Sequence, residues 1–282
     1  MYYAKFINSK GDTFNFGYLY GNIFDIDGLT GHNMDVAFSQ GFNQIGETVE
    51  GISVGSQIFE IKGKLLNEII TQKKKMLSVF APFESGKLVF ENKYFLDCIV
   101  YKTPIIAVGE KSPEFEMVLS APYPFWQKMI SNSFIVGDYM PMFSFPVNYS
   151  EPHIFGIENP SAFINAYNDG QIDAYYRLEF QTQTTTVNPS IINVNTQEFL
   201  KLNVTLNQGE KYVIDRKGGR LIVEKHVDGI VIDAFSLLDE DSDLLFMHVG
   251  DNVIRASADE GEDQLITTII FNSAVVGVYE GI

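Results

Sequence analysis

The sequence predicts a mainly β protein of two domains with one α-helix. Three observations carry that expectation. The chain has 282 residues, more than one typical hydrophobic core accounts for. Its aromatic content is 23 Phe and 14 Tyr against one Trp, and Phe, Tyr, Val, Ile and Thr suit a pleated, half-buried surface. Nearly all of it reads as short alternating runs bounded by Gly, Asn, Asp or Pro, and one stretch alone has the helical period.

In chain order, the first distinctive segment is 38–55. Phe42, Ile45 and Val49 lie there among Gly, Gln and Asn, with little sign of an own-chain core. This predicts an extended, exposed hairpin suited to strand addition to a neighbour. Residues 58–62 alternate as a strand. Ile69, Ile70, Met76, Leu77 and Phe80 then fall on one face of a helix. Asn67 is the expected cap, Glu68 suits the positive end, and Ala81-Pro82 stops the helix. Lys73, Lys74 and Lys75 read as a solvated face rather than an anion-binding patch. A hairpin follows, with strands 87–90 and 94–101 around Glu91-Asn92-Lys93. Residues 114–119 alternate again, and the prolines of Ala121-Pro122-Tyr123-Pro124-Phe125-Trp126 end the pairing.

From residue 131 the texture changes. Pro141, Pro146 and Pro152 punctuate a connecting region, so the expected division is a domain at 1–130, a linker at 131–152 and a second domain at 153–282. Short strands at sandwich-like spacing are expected at 153–158, 175–181, 199–206, 211–215, 220–225, 230–238, 244–249, 253–256 and 265–271. The net charge of −16 is unevenly shared. Residues 1–130 carry 12 Lys and Arg against 14 Asp and Glu, a net of −2. Residues 131–282 carry 8 against 22, a net of −14.

Acidity on this scale argues against phosphate-backbone binding and against adsorption to anionic membranes. No sequence-specific nucleic-acid binding is expected. Residues 265–279 are the longest apolar stretch, too short and too polar to span a bilayer, so no membrane insertion is expected either. The N-terminus has no apolar core of a secretory signal. The single cysteine, Cys98, cannot form an intrachain disulfide and reads as a small core side chain in a protein made under reducing conditions.

Chemistry is hard to find. His32, His153, His226 and His248 stand apart, without metal-ligand spacing. No two glycines lie two apart, and Gly63-Lys64 and Gly86-Lys87 are each followed by Leu, so no nucleotide loop is present. Gly51-Ile52-Ser53-Val54-Gly55 matches the nucleophile-elbow pattern, but a polar segment precedes it and a strand follows it. Ser53 is therefore read as part of a glycine-rich hairpin end. Asp239-Glu240-Asp241-Ser242-Asp243 mimics the start of an EF-hand, yet Leu244 and Gly250 occupy the positions that need Gly and Glu. That run and Asp259-Glu260-Gly261-Glu262-Asp263 are read as solvated turns. Asn148-Tyr149-Ser150 and Asn203-Val204-Thr205 are sequons by pattern only. No catalytic, cofactor-binding or metal-binding residue is expected.

The segments in series resemble a known family. They are a Gly-Lys-Leu-Leu helix start, a hairpin and Ala-Pro-Tyr-Pro-Phe-Trp, then Ile157-Glu158-Asn159 and Asn188-Pro189. Closest are residues 198–203, Gly209-Glu210-Lys211-Tyr212-Val213-Ile214-Asp215, and Gly250-Asp251-Asn252-Val253-Ile254. The chain thus resembles the distal tail proteins of long-tailed siphophages and related prophages. The resemblance implies a ring-forming N-terminal β domain with one helix and an extended hairpin, and a C-terminal galectin-like β-sandwich. It also implies a structural virion protein, a homo-hexameric ring at the tail tip, synthesised and assembled in the bacterial host cytoplasm. The partners it implies are the major tail tube protein and the tail-tip hub or tail-associated protein, with the tape-measure and receptor-binding proteins beyond them. It implies no catalytic residues and no cofactors. Phe42, Ile45 and Val49 become the candidate subunit-interface residues. Two rivals are a carbohydrate-binding, lectin-like adhesion module, weakened because Trp126 lies outside the expected sandwich, and a secreted esterase resting on Ser53.

Overall fold

Apolar residues at every second position turn one face of most strands inward in the sheet of the N-terminal half. The computed structural model describes residues 3–137, 139–141, 156–158, 163–217, 220–243 and 246–278. By its contacts the chain divides into a first unit, Met1–Ile130 with Ala274–Ile282, and a second, Ser131–Ser273. No described helix is long and apolar enough to cross a membrane.

The first unit runs through β1 (Ala4–Asn8), β2 (Thr13–Phe16), β3 (Asn22–Asp27), β4 (Met34–Ser39), β5 (Thr48–Val54) and β6 (Gln57–Leu65). The helix α1 (Ile69–Val79) comes next, before β7 (Ser85–Phe90), β8 (Tyr94–Ile106), β9 (Glu114–Ala121) and β10 (Trp126–Lys128). Its sheet has the order β2-β1-β7-β8-β9-β6-β3. One face is apolar and buried under α1. Phe80 stacks on Phe6 at 4.7 Å and meets Phe14 and Phe16 at 5.9 Å. The other face carries exposed ion pairs, among them Lys64 with Glu114 at 3.0 Å and Lys102 with Glu116 at 2.7 Å. The expected hairpin after the helix is present: Glu91 and Asn92 both take left-handed backbone angles between β7 and β8. Cys98 is buried in this core, and burial pushes its thiol well above the ordinary value.

The helix is found where expected but rotated. Met76 and Phe80 are buried, whereas Ile70 and Leu77 are 73% and 54% exposed. The buried face is Gln72, Met76 and Val79. Gln72 decides the rotation: its amide donates to Gly21 O at 2.8 Å and accepts from Asn22 Nδ2 at 3.0 Å, both within the interior. A buried amide left without partners costs about 1–3 kcal/mol, comparable with burying one aliphatic side chain, so the polar pair wins the face. Asn67 does not cap the helix by its side chain; Glu68, in a left-handed conformation, occupies that position.

The second unit contains β11 (Asn132–Val136), β12 (Tyr139–Pro141), β13 (Gly156–Glu158), β14 (Phe163–Asn165), β15 (Tyr176–Thr182), β16 (Thr185–Val187) and β17 (Ser190–Asn193). They are followed by β18 (Phe199–Lys201), β19 (Thr205–Asn207), β20 (Lys211–Lys217), β21 (Arg220–Val227), β22 (Ile230–Asp233), β23 (Val253–Ser257) and β24 (Leu265–Phe271). A six-stranded sheet, β11-β24-β15-β20-β21-β22, and a four-stranded sheet, β14-β23-β17-β18, share one core. Leu178, Phe180, Ile214 and Ile269 from the first meet Ile191, Leu200 and Ile254 from the second. This is a sandwich by construction. Finally β25 (Ala274–Val275) pairs with β10 in the first unit.

Several expectations need correction here. Residues 132–136, expected in the linker, form β11 and pair along β24; their alternation is short, and the linker prolines lie only beyond them. Residues 274–278, placed in the sandwich, belong to the first unit. The run 199–206 is broken into β18 and β19, and 230–238 ends as a strand at Asp233 before a 3-10 turn at Phe235–Leu237. Of 244–249, residues 244–245 lie outside the described residues, and Met247 makes only an isolated bridge to Ala174. His153, Met142, Pro146, Pro152 and the sequon at 148–150 also lie outside them.

Candidate functional site: an unpaired hairpin arm

β4 and β5 pair with each other and, among the described residues, with no other strand. The arm starts earlier than expected, at Met34 rather than Phe38. Its register runs Met34↔Val54, Val36↔Ile52 and Ala37↔Gly51, then slips so that Phe38 faces Val49 and Ser39 faces Thr48. Cross-strand partners share a face of a hairpin. Met34, Val36, Phe38, Val49, Ile52 and Val54 therefore form one apolar face, and Asp35, Ala37, Ser39, Thr48, Gly51 and Ser53 form the other. The slip is a β-bulge. Without it Glu50 would stand opposite Phe38; with it Val49 does, and the apolar face stays unbroken.

Every residue of both strands is exposed except Val54, which is half-buried. The tip is shaped by its own polar contacts. Gln44 accepts from Gly41 N at 2.8 Å and donates to Thr48 Oγ1 at 2.9 Å. Asn43 and Gly46 take positive φ angles. Phe42 and Ile45, at the tip, are 98% and 102% exposed. Of the three candidate interface residues, the tip thus holds Phe42 and Ile45, and Val49 lies on the apolar face. Sequence reading missed Met34, Val36 and Ile52, whose alternation with Asp35 and Ser53 is a signal only once the register is known. Isolated two-stranded hairpins are marginal in water, and here the apolar side chains of one face stand exposed together.

The other motifs turn out to be structural. Ser53 stands opposite Asp35 on the arm's polar face, near the C-terminal end of β5. Asn252 of the Gly-Asp-Asn element is fully buried. Its Nδ2 donates to Ala166 O, His248 O and Gly250 O, and its Oδ1 accepts from His248 N at 2.9 Å and Asn193 Nδ2 at 3.2 Å. His248 itself bridges Asp173 at 2.9 Å and Glu198 at 3.1 Å. Burial pulls its pKa down, but the hydrogen bonds to Glu198 and Asp173 outweigh it and hold the imidazole above its ordinary value. Among the described residues no group of three His, Cys, Asp or Glu is placed to hold a metal ion.

The acidic run that mimics an EF-hand closes a sheet edge. Asp239 N donates to Lys201 O at 3.0 Å and Asp243 N to Phe199 O at 2.8 Å, while Asp243 Oδ2 and Ser242 Oγ accept from Phe199 N and Lys201 N at 3.1 Å. In the second run, Asp259 takes a hydrogen bond from Asn188 at 2.8 Å and the Lys201 ammonium at 3.0 Å. Trp126, the side chain on which a lectin would stack sugar, is buried in the first unit's core against Phe59 and Phe90.

Residues 169–274 match the family model of the siphovirus-type tail component, C-terminal domain. None of the curated proteins matches the chain. Among solved structures the chain shares its fold with SPP1 Dit, described as a paradigm of the hub adsorption apparatus in phages infecting Gram-positive hosts. The identity is 9% and the TM-score 0.63, over 97% of this chain and 99% of that one. A chain of the phage P2 baseplate, in its activated conformation with Ca, aligns at 10% identity and TM-score 0.54, over 98% and 99%. The resemblance to siphophage distal tail proteins is borne out.

Proposed function

We propose that this chain is a distal tail subunit whose copies close a hexameric ring at the tail tip of a siphophage virion. The observation that carries the reading is the β4–β5 arm, an apolar face without an own-chain partner, on a chain whose residues 169–274 match a tail-component domain. Each arm lies on the neighbouring first unit and is covered there, with Phe42 and Ile45 at its tip and Val49 on its face. The near-neutral first unit carries the ring contacts, because copies of the acidic second unit, of galectin-like form, would repel one another at close approach.

The ring joins the major tail protein to the tail-tip hub or tail-associated protein. The tape-measure and receptor-binding proteins are the further partners. Assembly takes place in the host cytoplasm. The reading assigns no catalytic residue, cofactor or metal. Light scattering on the purified chain tests it. A mass of six times 31.8 kDa, and rings in negative stain, are expected. A strict monomer at all attainable concentrations would sink the reading.

A further inference from the structure

β22 is the last strand of the six-stranded sheet. Asp228 and Gly229, at φ 50° and 77°, form the turn that joins it to β21, the left-handed pair of a type I′ hairpin. Ala234 N donates to Val223 O at 2.9 Å. Because bonded and non-bonded pairs alternate in an antiparallel ladder, Ile232 and Ile230 are the next bonded positions. Val231 and Asp233 therefore turn their N–H and C=O groups outward, and among the described residues none bonds them.

The side chains are as open as the backbone. Ile230, Val231 and Ile232 are 60%, 55% and 47% exposed, and Phe235 follows just beyond. Ile230 and Ile232 share their face with the core residues Ala234 and Val223, so the inner face of the sheet continues past the core onto an uncovered ledge. Proteins usually blunt such an edge with Lys, Pro, a bulge or a covering segment. The β18 edge of this unit has its cover, the 239–243 loop. β22 has no Lys, no Pro and a regular register with β21.

We propose that β22 is a strand-addition site for an extended segment of a different protein, one with alternating apolar residues and basic flanks. Charge selects that occupant. Asp228 and Asp233 bracket the strand, and residues 131–273 carry 8 Lys and Arg against 21 Asp and Glu. A second copy of this unit would bring two strongly acidic surfaces edge to edge. The arm of another copy is no better, since residues 34–54 hold Asp35, Glu47 and Glu50 and no Lys or Arg. A basic segment gains attraction together with the main-chain bonds. The site is independent of the ring and of its subunit number.

The test uses the full chain and a fluorescently labelled peptide of alternating valine and threonine with paired lysines at both ends. Anisotropy should show saturable binding, weakened about tenfold when the lysines become aspartates. Val231→Pro removes an outward amide without touching the β21 ladder, and it should weaken binding about tenfold. Ile232→Lys should do the same, and it decides the matter if the proline variant melts early. Hydrogen exchange should slow at 230–233 when the peptide is bound. No binding of the lysine peptide, unchanged binding by both variants, or protection confined to other strands would each overturn the proposal. So would a lower mass of Val231→Pro alone in light scattering, because the edge would then join copies of the chain.

Discussion

Phe38→Asp puts the arm to the sharpest test, because Phe38 stands opposite Val49 at the tip-ward end of the apolar face and lies outside the core. Full burial of a large apolar side chain stabilises by about 1.5–3 kcal/mol. Phe38 is 56% exposed on the free arm, so covering it contributes about 1–1.5 kcal/mol to each subunit contact. An unpaired carboxylate in its place adds a desolvation cost of at least about 1–2 kcal/mol. The sum is about 3 kcal/mol per contact, or roughly a hundredfold in each contact's equilibrium constant. A closed ring repeats the contact at every subunit, so the variant should be monomeric at concentrations where the parent is assembled. Light scattering across a dilution series reads this directly. The monomer itself should keep the parental circular dichroism and melt within a degree or two of it, because no core residue changes. Ser53→Asn, on the polar face, is the control and should leave the mass unchanged. An assembled Phe38→Asp, or a Ser53→Asn that dissociates, would refute the facial assignment.

Four further outcomes follow, one more from the arm and three from the second unit. Deleting residues 40–50, which removes Phe42, Ile45 and Val49 together, should give folded monomers; rings from that variant would exclude the arm as the clasp. Asn252→Ala strips the buried His248 N–H and Asn193 amide of their acceptor, and should cost about 3 kcal/mol and on the order of 10 °C in the melting of the second unit, so a shift under about 2 °C contradicts the buried knot. His248, whose pKa is raised in the fold, binds its proton more tightly folded than unfolded. The stability it supplies is full below the ordinary imidazole value of about 6.5 and is lost as pH rises through the folded value. Urea midpoints of the second unit should fall across that window, and His248→Gln should flatten the slope. Expressed alone, residues 131–273 should be a soluble monomer, as their acidity demands, and an oligomer of that fragment in light scattering would reverse the division of labour between the units.

Sequence by itself determined the β class, the single helix, the buried Cys98 and the hairpin at 91–93, because each depends on a local period or on turn residues acting within a few positions. It also located the arm, through apolar residues stranded among Gly, Gln and Asn, and it exposed Ser53 and the acidic runs as poor sites by their missing context. Only the tertiary structure decided the rest. The helix face went to Gln72 because its buried partners, Gly21 and Asn22, come from another part of the chain. β11 and β25 acquired their strands from partners β24 and β10, more than a hundred residues away in sequence. The continuous apolar face of the arm needed a one-residue slip at Ala37/Phe38, and a slip of that size moves every later side chain to the opposite face. Hydrophobic periodicity is written residue by residue, but which face is covered depends on long-range pairing and on buried hydrogen bonds, and those exist only once the chain has folded.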